Sequence, residues 1–547
     1  MAAPPGTRLA RTPDRGGGRS VFATRSYRPG DVIATFDKPI LALPDGPNMR
    51  TTCNYCLTVQ APDGKPLRAC TSCKAAVYCN PTCQRAHWKS IHKSECKLFV
   101  RVREAVGKDW VPTPTRAVAQ VLMLLKAGDP ATIAALGDDG SLVGNTEAFQ
   151  KDTKVWSDYE MLAMAAVVYG GLVESEETLR RAEEILCKIQ TNAFDRLDAD
   201  TGLSGIFLDA GLSMINHSCI PNAFIGFDKR AATLRAERDI EEGDEVRISY
   251  IDHTLPKMAR QEGLRLYHFH CDCPRCKEDL DVYQVCASSP VVPLNALSLQ
   301  PDLLRLRNPP VDRSKLSTAK IEVIYKAWHS PAMSEGGSKI AQQRWKLCKQ
   351  LVEVRMWAVE PLPASIHEVA LICQEHSWTW AYALPLWCFL ATECEPFRLV
   401  APFMPWRMKG VMMIAKCLSE SARQTATGEL VRNCPHKGLV GILARNDQVT
   451  MCEALIRLLV HDAALGAADG WDIAIQAREM LQDIEHLDGR ENESALIQAW
   501  VKNPQDPQAN AFFRYAVLKP ITELAALAIE IMDAEIWASK ALPLVRR

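Results

Sequence analysis

Seven cysteines and one histidine between positions 53 and 96 read Cys53-x2-Cys56, Cys70-x2-Cys73, Cys79-x3-Cys83 and His92-x3-Cys96. Thiolate and imidazole are donors that zinc favours, and eight of them suit two tetrahedral sites of four ligands each. The segment is too short and too polar to build an apolar core of its own, so metal binding would supply its folding energy. His87 competes as a ligand. His92 is preferred because it lies four residues before Cys96, on the same helical face. A second group, Cys271-x-Cys273-x2-Cys276, offers three thiols and needs a fourth ligand to close a tetrahedral site.

The spacing of residues 53–96 resembles the MYND zinc finger, in which ligand pairs interleave. That resemblance implies one ion on Cys53, Cys56, Cys79 and Cys83, and another on Cys70, Cys73, His92 and Cys96. Three further strings point to one family: Asn216-His217-Ser218-Cys219-Ile220-Pro221-Asn222-Ala223, then Gly243-Asp244-Glu245-Val246-Arg247-Ile248-Ser249-Tyr250, then the trio at 271, 273 and 276. They resemble the N-H-S-C motif, the G-E-E strand and the post-SET cysteines of SET-domain protein methyltransferases. Gly18-Arg19-Ser20-Val21-Phe22-Ala23-Thr24 resembles the opening of that domain, with Ser20 in place of its second glycine. A SET domain split by a MYND finger is the arrangement of the SET and MYND domain protein-lysine methyltransferases. The resemblance covers roughly residues 16–280.

It implies S-adenosylmethionine as cofactor and three zinc ions, with Cys219 as fourth ligand to Cys271, Cys273 and Cys276. Gly18, Arg19 and Ser20 would approach the methionine end of the cofactor, where glycine permits close contact. Asn192, Asn216 and His217 would supply polar contacts, and Phe269 would stack on the adenine. Tyr250 matches the catalytic tyrosine and Tyr267 a second aromatic lining the lysine channel. Tyr250 is expected to orient the amine rather than to act as a strong base, since a phenol near its reference pKa is mostly protonated at neutral pH. The amine must be neutral to attack, and a narrow apolar channel disfavours its ammonium form.

The elements that must position these residues follow. Residues 1–15, rich in Pro, Gly and Arg, read as disordered. The fold class is α+β and multidomain: a SET β-fold split by the finger and a helical insert, a post-SET zinc site, and an all-α C-terminal domain. The boundaries are SET N-terminal part 16–52, finger 53–96, helical linker and insert 97–190, SET core 191–255, post-SET site 256–280 and helical domain 281–547. Strands are expected over Val32 to Leu43, at Thr233 to Ala236 and at Val246 to Tyr250; helices over Ala117 to Leu125 and Ser157 to Ile189. The prolines of 287–313 read as a linker or irregular crossing.

The formal net charge of −1 gives no global attraction to nucleic acid or membrane. Of the 20 cysteines, nine lie outside the two clusters without a disulfide-framework pattern, which points to a reducing compartment, cytoplasm and nucleus. No secretory h-region and no membrane-length apolar run is evident. The expected partner is a lysine-containing protein or peptide, and the chain is expected to be a monomer. Arg85, Lys89, Lys93, Lys97 and Arg101 recur every four residues, giving the finger a basic face for an acidic peptide or DNA phosphate. MYND fingers also bind proline-rich peptides. The alternative to an enzyme is a zinc-organised interaction scaffold, a MYND-mediated transcriptional regulator whose SET core is weak or inactive.

Overall fold

The computed structural model describes residues 3–12, 18–60, 64–198, 202–330, 337–374, 380–466 and 470–535. Its strands are β1 (Thr7–Thr12), β2 (Gly18–Ala23), β3 (Val32–Phe36), β4 (Leu41–Pro44), β5 (Arg68–Ala69), β6 (Val77–Tyr78), β7 (Phe194–Asp198), β8 (Gly202–Leu208), β9 (Asn216–His217), β10 (Ala223–Asp228), β11 (Ala231–Ala236) and β12 (Arg247–Ile248). They form small sheets rather than one large one: β1–β2, β10–β11–β3, β4–β8–β7, the finger ribbon β5–β6, and the parallel pair β12–β9. β11 buries every second residue, Ala232, Leu234 and Ala236, as a strand with one face on a core must. β4 is buried throughout, because helices cover its other face.

Sequence-distant strands are brought together here. β4 pairs with β8 in register Leu41–Leu208 to Pro44–Gly205. Gly205 makes this possible: its φ is +148°, and a Cβ there would stand 1.9 Å from the Leu43 carbonyl oxygen.

The finger and insert supply α1 (Pro81–His87), α2 (Lys93–Val106), α3 (Thr113–Lys126), α4 (Pro130–Leu136), α5 (Thr146–Gln150), α6 (Thr153–Gly170) and α7 (Glu176–Asn192). Side-chain caps start several of them, Asn80 on α1, Asp152 on α6 and Ser175 on α7, and Gly107 in the left-handed region ends α2. One apolar core runs from Val21 to Ile248 and joins residues of the 53–96 segment, the helices that follow it and the strands on either side. A second runs from Val282 to Met532 through the C-terminal helices. No single helix among the described residues is long and apolar enough to cross a membrane.

Two expectations are corrected. Residues 7–12, read as part of a disordered tail, form β1, which pairs along its whole length with β2; residues 1, 2 and 13–15 of that tail lie outside the described residues. Segment 287–313 is no linker. It packs as short helical turns with Val291, Val292, Leu297, Leu299 and Leu306 buried in the second core, because its apolar residues lie between the prolines that drew the sequence reading.

Candidate active site and metal centres

Three groups of four donors converge, each with its ligand atoms within 4.8 Å of one another: Cys53, Cys56, Cys79, Cys83; Cys70, Cys73, His92, Cys96; and Cys219, Cys271, Cys273, Cys276. A zinc–sulfur bond of about 2.3 Å implies a tetrahedral edge of about 3.8 Å between sulfurs. The observed separations bracket it: Cys56–Cys79 3.7 Å, Cys79–Cys83 3.4 Å, Cys70–Cys96 3.9 Å, Cys219–Cys276 3.6 Å and Cys219–Cys271 4.0 Å. His92 Nε2 stands 3.7 Å from Cys73 Sγ. His87, the competing imidazole, turns elsewhere, its Nδ1 3.0 Å from the Tyr78 hydroxyl. Within each group the sulfurs share protons unevenly: hydrogen bonding from Cys53 pulls Cys56 down to about 4 while Cys53 itself is pushed up, and hydrogen bonding from Cys219 and Cys271 pulls Cys276 down to about 6 while those two are pushed up.

The third group carries an independent sign of its charge. Arg260 and Arg275 are almost wholly buried beside it, at 1% and 2% exposure. Among the described residues neither has a carboxylate within ion-pair distance. Arg260 donates to the Leu255 carbonyl (2.6 Å) and lies 3.6 Å from Cys276 Sγ; Arg275 donates to the carbonyls of Leu280 (3.1 Å) and His253. A buried cation without a counter-charge costs several kcal/mol. Four thiolates around a divalent ion carry a net charge of about −2 and supply that counter-charge, so the donor set and its surroundings fit a tetrathiolate metal. Sequence spacing could not reveal these arginines.

The cofactor and lysine candidates meet next to this group. β9 carries Asn216 and His217 alongside β12, which leads directly into Tyr250. Asn216 Nδ2 faces the Arg19 carbonyl (2.9 Å), Ser20 Oγ (3.0 Å) and Glu245 Oε1 (2.9 Å), so it ties the β2 end to the Glu245 turn. Glu245, held below the usual carboxylate range against its burial by Asn216 and Arg247, receives two further bonds from Arg247. Ser20, where the family pattern has glycine, is fully buried with its hydroxyl toward Asn216. Its side chain therefore points into the protein, opposite to the neighbouring Arg19. Arg19 is exposed and donates to the Ser141 carbonyl at 2.7 Å.

His217 has protein partners at both ring nitrogens: Nδ1 accepts from the Tyr250 amide at 3.1 Å, and Nε2 lies 3.3 Å from Cys219 Sγ. Burial pushes it down to about 4, so it is neutral. Its ring is thus engaged within the protein at both nitrogens. Asn192 donates from Nδ2 to the carbonyls of Val143 and Lys188, holding the insert loop against α7. Tyr250 and Tyr267 rings stand 4.8 Å apart. Phe269 closes the group at 6.0 Å from His217 and edge-on to Tyr250 at 6.4 Å, and is 39% exposed. The residue between the two aromatics, His268, sits in the left-handed region at φ 57° with its ring edge-on to Phe149 of α5 at 4.4 Å.

The Tyr250 hydroxyl donates to the Ile215 carbonyl at 2.5 Å. Burial raises its pKa, and so do Tyr267 and Glu245 nearby. The phenol thus keeps its proton and aims it at a carbonyl, so that its oxygen can act only as an acceptor toward any further partner.

Of the basic helix face, Arg85, Lys89, Lys93 and Lys97 are exposed, but Arg101 is half-buried and donates to the Tyr169 carbonyl at 2.9 Å. The face is therefore one residue shorter than its spacing suggested.

A SET domain family model matches residues 18–251. Histone-lysine N-methyltransferase ASHR1 of Arabidopsis thaliana is 32% identical over 263 residues, covering 47% of this chain and 53% of that protein. SET domain and MYND-type zinc finger protein 6 of Schizosaccharomyces pombe is 33% identical over 263 residues, 48% of this chain and 50% of that protein. N-lysine methyltransferase SMYD2 of Homo sapiens is 30% identical over 268 residues, 48% and 58%. The chain thus spans between half and three-fifths of the length of these relatives, and the shared part is about half of its own length. Residues 18–251 thus match a SET domain, and the relatives that share this half of the chain are, by their names, lysine methyltransferases and a SET and MYND-type zinc finger protein.

Proposed function

We propose that this chain is an S-adenosylmethionine-dependent protein-lysine N-methyltransferase. The observation that carries the reading is the Tyr250–Tyr267 pair, set between the Asn216–Glu245 tie and the four-sulfur group, with the Tyr250 proton already engaged by Ile215. The cofactor, when bound, supplies an electrophilic methyl on a sulfonium. The aromatic walls disfavour the charged form of the incoming lysine. The Tyr250 oxygen accepts a hydrogen bond from the neutral amine and aligns its lone pair for displacement, and alignment supplies much of such a rate. Gly18, Arg19, Asn192, Asn216, His217 and Phe269 would frame the cofactor, and three zinc ions would occupy the three donor groups. The exposed lysines of the finger helix suit an acidic or phosphate-bearing partner, and a proline-rich peptide is the other class a MYND finger takes. Cytoplasm and nucleus fit the many free thiols.

The test is methylation of a lysine-peptide array by the full chain with labelled cofactor. Label on lysine peptides, lost in Tyr250→Phe, is the expected result. Cofactor binding without transfer to any peptide or protein fraction would favour the scaffold reading instead.

A further inference from the structure

Below the finger's second donor group lies a polar cluster that neither the metal nor the methyl transfer uses directly. Glu95 is wholly buried. Its Oε1 accepts from Arg116 Nε and from Gln120 Nε2, both at 2.6 Å; its Oε2 accepts from Arg116 Nη2 at 3.2 Å and faces His92 Nδ1 at 3.2 Å. Arg116 and Gln120 are themselves 1% and 4% exposed, and the Arg116 guanidinium lies over the Phe99 ring. Both belong to α3, which packs on β4 of the SET sheet and on α6 and α7.

Three features settle what Glu95 does. A carboxylate that receives four donors must be ionised, and Arg116 beside it supplies the counter-charge. With Oε2 accepting, the His92 proton resides on Nδ1, which leaves the Nε2 lone pair directed at the sulfurs of Cys70, Cys73 and Cys96. The helix that carries the ligands is widened at Trp88–His92 into a π-turn, which stacks His87 on His92 with centroids 5.1 Å apart and brings both rings over Glu95. His87, His92 and Glu95 thereby also form a group of metal-type donors. The Arg116 cation bound to both carboxylate oxygens excludes a second metal from it.

We propose that Glu95 is a positioning residue for the second finger metal: it fixes His92 as the Nδ1–H tautomer and, through Arg116 and Gln120, ties that centre to α3 and hence to the SET sheet. The proposal rests on the zinc reading above and extends it from ligands to their coupling. The coupling runs both ways. A zinc ion on His92 stiffens α3, and an intact α3 holds His92 in the orientation the metal needs.

Glu95→Gln in the full chain tests this. An amide offers one acceptor oxygen where Arg116, Gln120 and His92 present four donors, so one N–H must face another in either flip. With zinc-loaded protein and a colorimetric chelator, one of the three ions should leave about 10- to 100-fold faster than in wild type, the other two unchanged. In cobalt-substituted protein the bands of the three-sulfur, one-nitrogen centre should shift while those of the four-sulfur centres stay. A lost packing contact alone would not produce that signature. Hydrogen exchange along Thr113–Lys126 should rise when that ion is stripped from wild type. Should Glu95→Gln not fold, Arg116→Lys, which keeps the charge and loses the two-pronged grip, should speed release of the same ion several-fold. Zinc held equally by wild type and by whichever variant folds, or α3 exchange indifferent to the metal, overturns the proposal alone. Wild type without zinc in this centre overturns the metal reading and the proposal with it.

Discussion

Tyr250→Phe separates catalysis from architecture, and the structure assigns it two effects of different size. The substitution removes one hydroxyl and keeps the ring, so the 4.8 Å approach to Tyr267 and the edge-on contact with Phe269 remain. It also removes the hydrogen bond that the Tyr250 hydroxyl gives the carbonyl of fully buried Ile215. An orphaned buried carbonyl costs about 1–3 kcal/mol, and the lower end applies where the site opens toward a cavity that water can enter. A loss near 1 kcal/mol moves the unfolding midpoint of a domain of this size by about 2–4 °C. The ring packing is thus scarcely touched, and the bond to Ile215 adds this modest penalty.

The catalytic effect should be larger. A single preorganised polar group acting only as charge and geometry change in the transition state is worth about 2.7–4 kcal/mol, or roughly 10²- to 10³-fold in rate. Cofactor affinity should stay within about two-fold of wild type, because the hydroxyl points at Ile215 rather than toward the Asn216–Ser20 edge. Single-turnover methylation of the best array peptide, calorimetric cofactor binding and thermal unfolding measure the three quantities separately. A rate within three-fold of wild type would falsify the role given to the hydroxyl. A parallel collapse of cofactor affinity would show instead that the hydroxyl maintains the cofactor site.

Purified full chain should carry about three zinc ions per molecule, and Cys219→Ala should lose one of them and weaken cofactor binding, because Cys219 also meets His217 Nε2 at 3.3 Å; unchanged cofactor affinity with the ion gone would refute the link. Glu237 is 5% exposed, its Oε2 has no hydrogen-bond partner among the described residues, and burial raises it from 4.5 to about 7 against the pull of Arg238. Its contribution is therefore intact below about pH 4.5 and is lost as pH rises toward 7, on the order of 3 kcal/mol in all. Glu237→Gln should accordingly gain stability over wild type between pH 5 and pH 8 in parallel denaturant titrations, and a pH-independent difference would contradict it. Gly205→Ala should cost about 2 kcal/mol or more and lower soluble yield, since its Cβ would collide with the Leu43 carbonyl; wild-type unfolding would show that β4 and β8 can part without cost.

What the sequence made legible was short-range. Ligands two to four residues apart announce themselves by spacing, and the strings at Asn216 and Gly243 carry enough unusual residues to be read without a partner. What it hid was long-range complementarity. Glu95 sits next to Cys96 and resembles any helical glutamate until Arg116 and Gln120 close on it from another helix. Arg260 and Arg275 look like solvent-facing cations in a polar stretch, yet both end buried, Arg260 against the Cys276 sulfur and Arg275 on the carbonyls of Leu280 and His253. β1 was masked by its Arg and Thr content, which suits an exposed hairpin strand as well as a disordered tail, and only its pairing with β2 decides between them. In 287–313 the prolines outvoted the apolar residues between them.

The finger and insert separate β4 from β8 by more than 150 residues, yet these strands must pair for the SET fold to close. Closing so long a gap costs chain entropy that the short β4–β8 ladder cannot offset alone. The structure offsets it by making the intervening segments part of the same core: Leu98 and Phe99 of the finger helix, Ala117, Val118 and Val121 of α3, and Ile185 and Leu186 of α7 are all buried with Leu41 and Phe207. The C-terminal half is then fixed to the completed domain by few, specific contacts. Arg398, held by Glu360 of its own half, reaches the Thr254 hydroxyl, Arg235 reaches the Leu465 carbonyl, Trp471 meets the Phe227 carbonyl, and Phe224 packs by Phe403. Excising the finger would therefore remove folding energy from the SET domain itself, whereas the C-terminal half, with its own core from Val282 onward, could shift against the β10–β11 edge without unfolding either part.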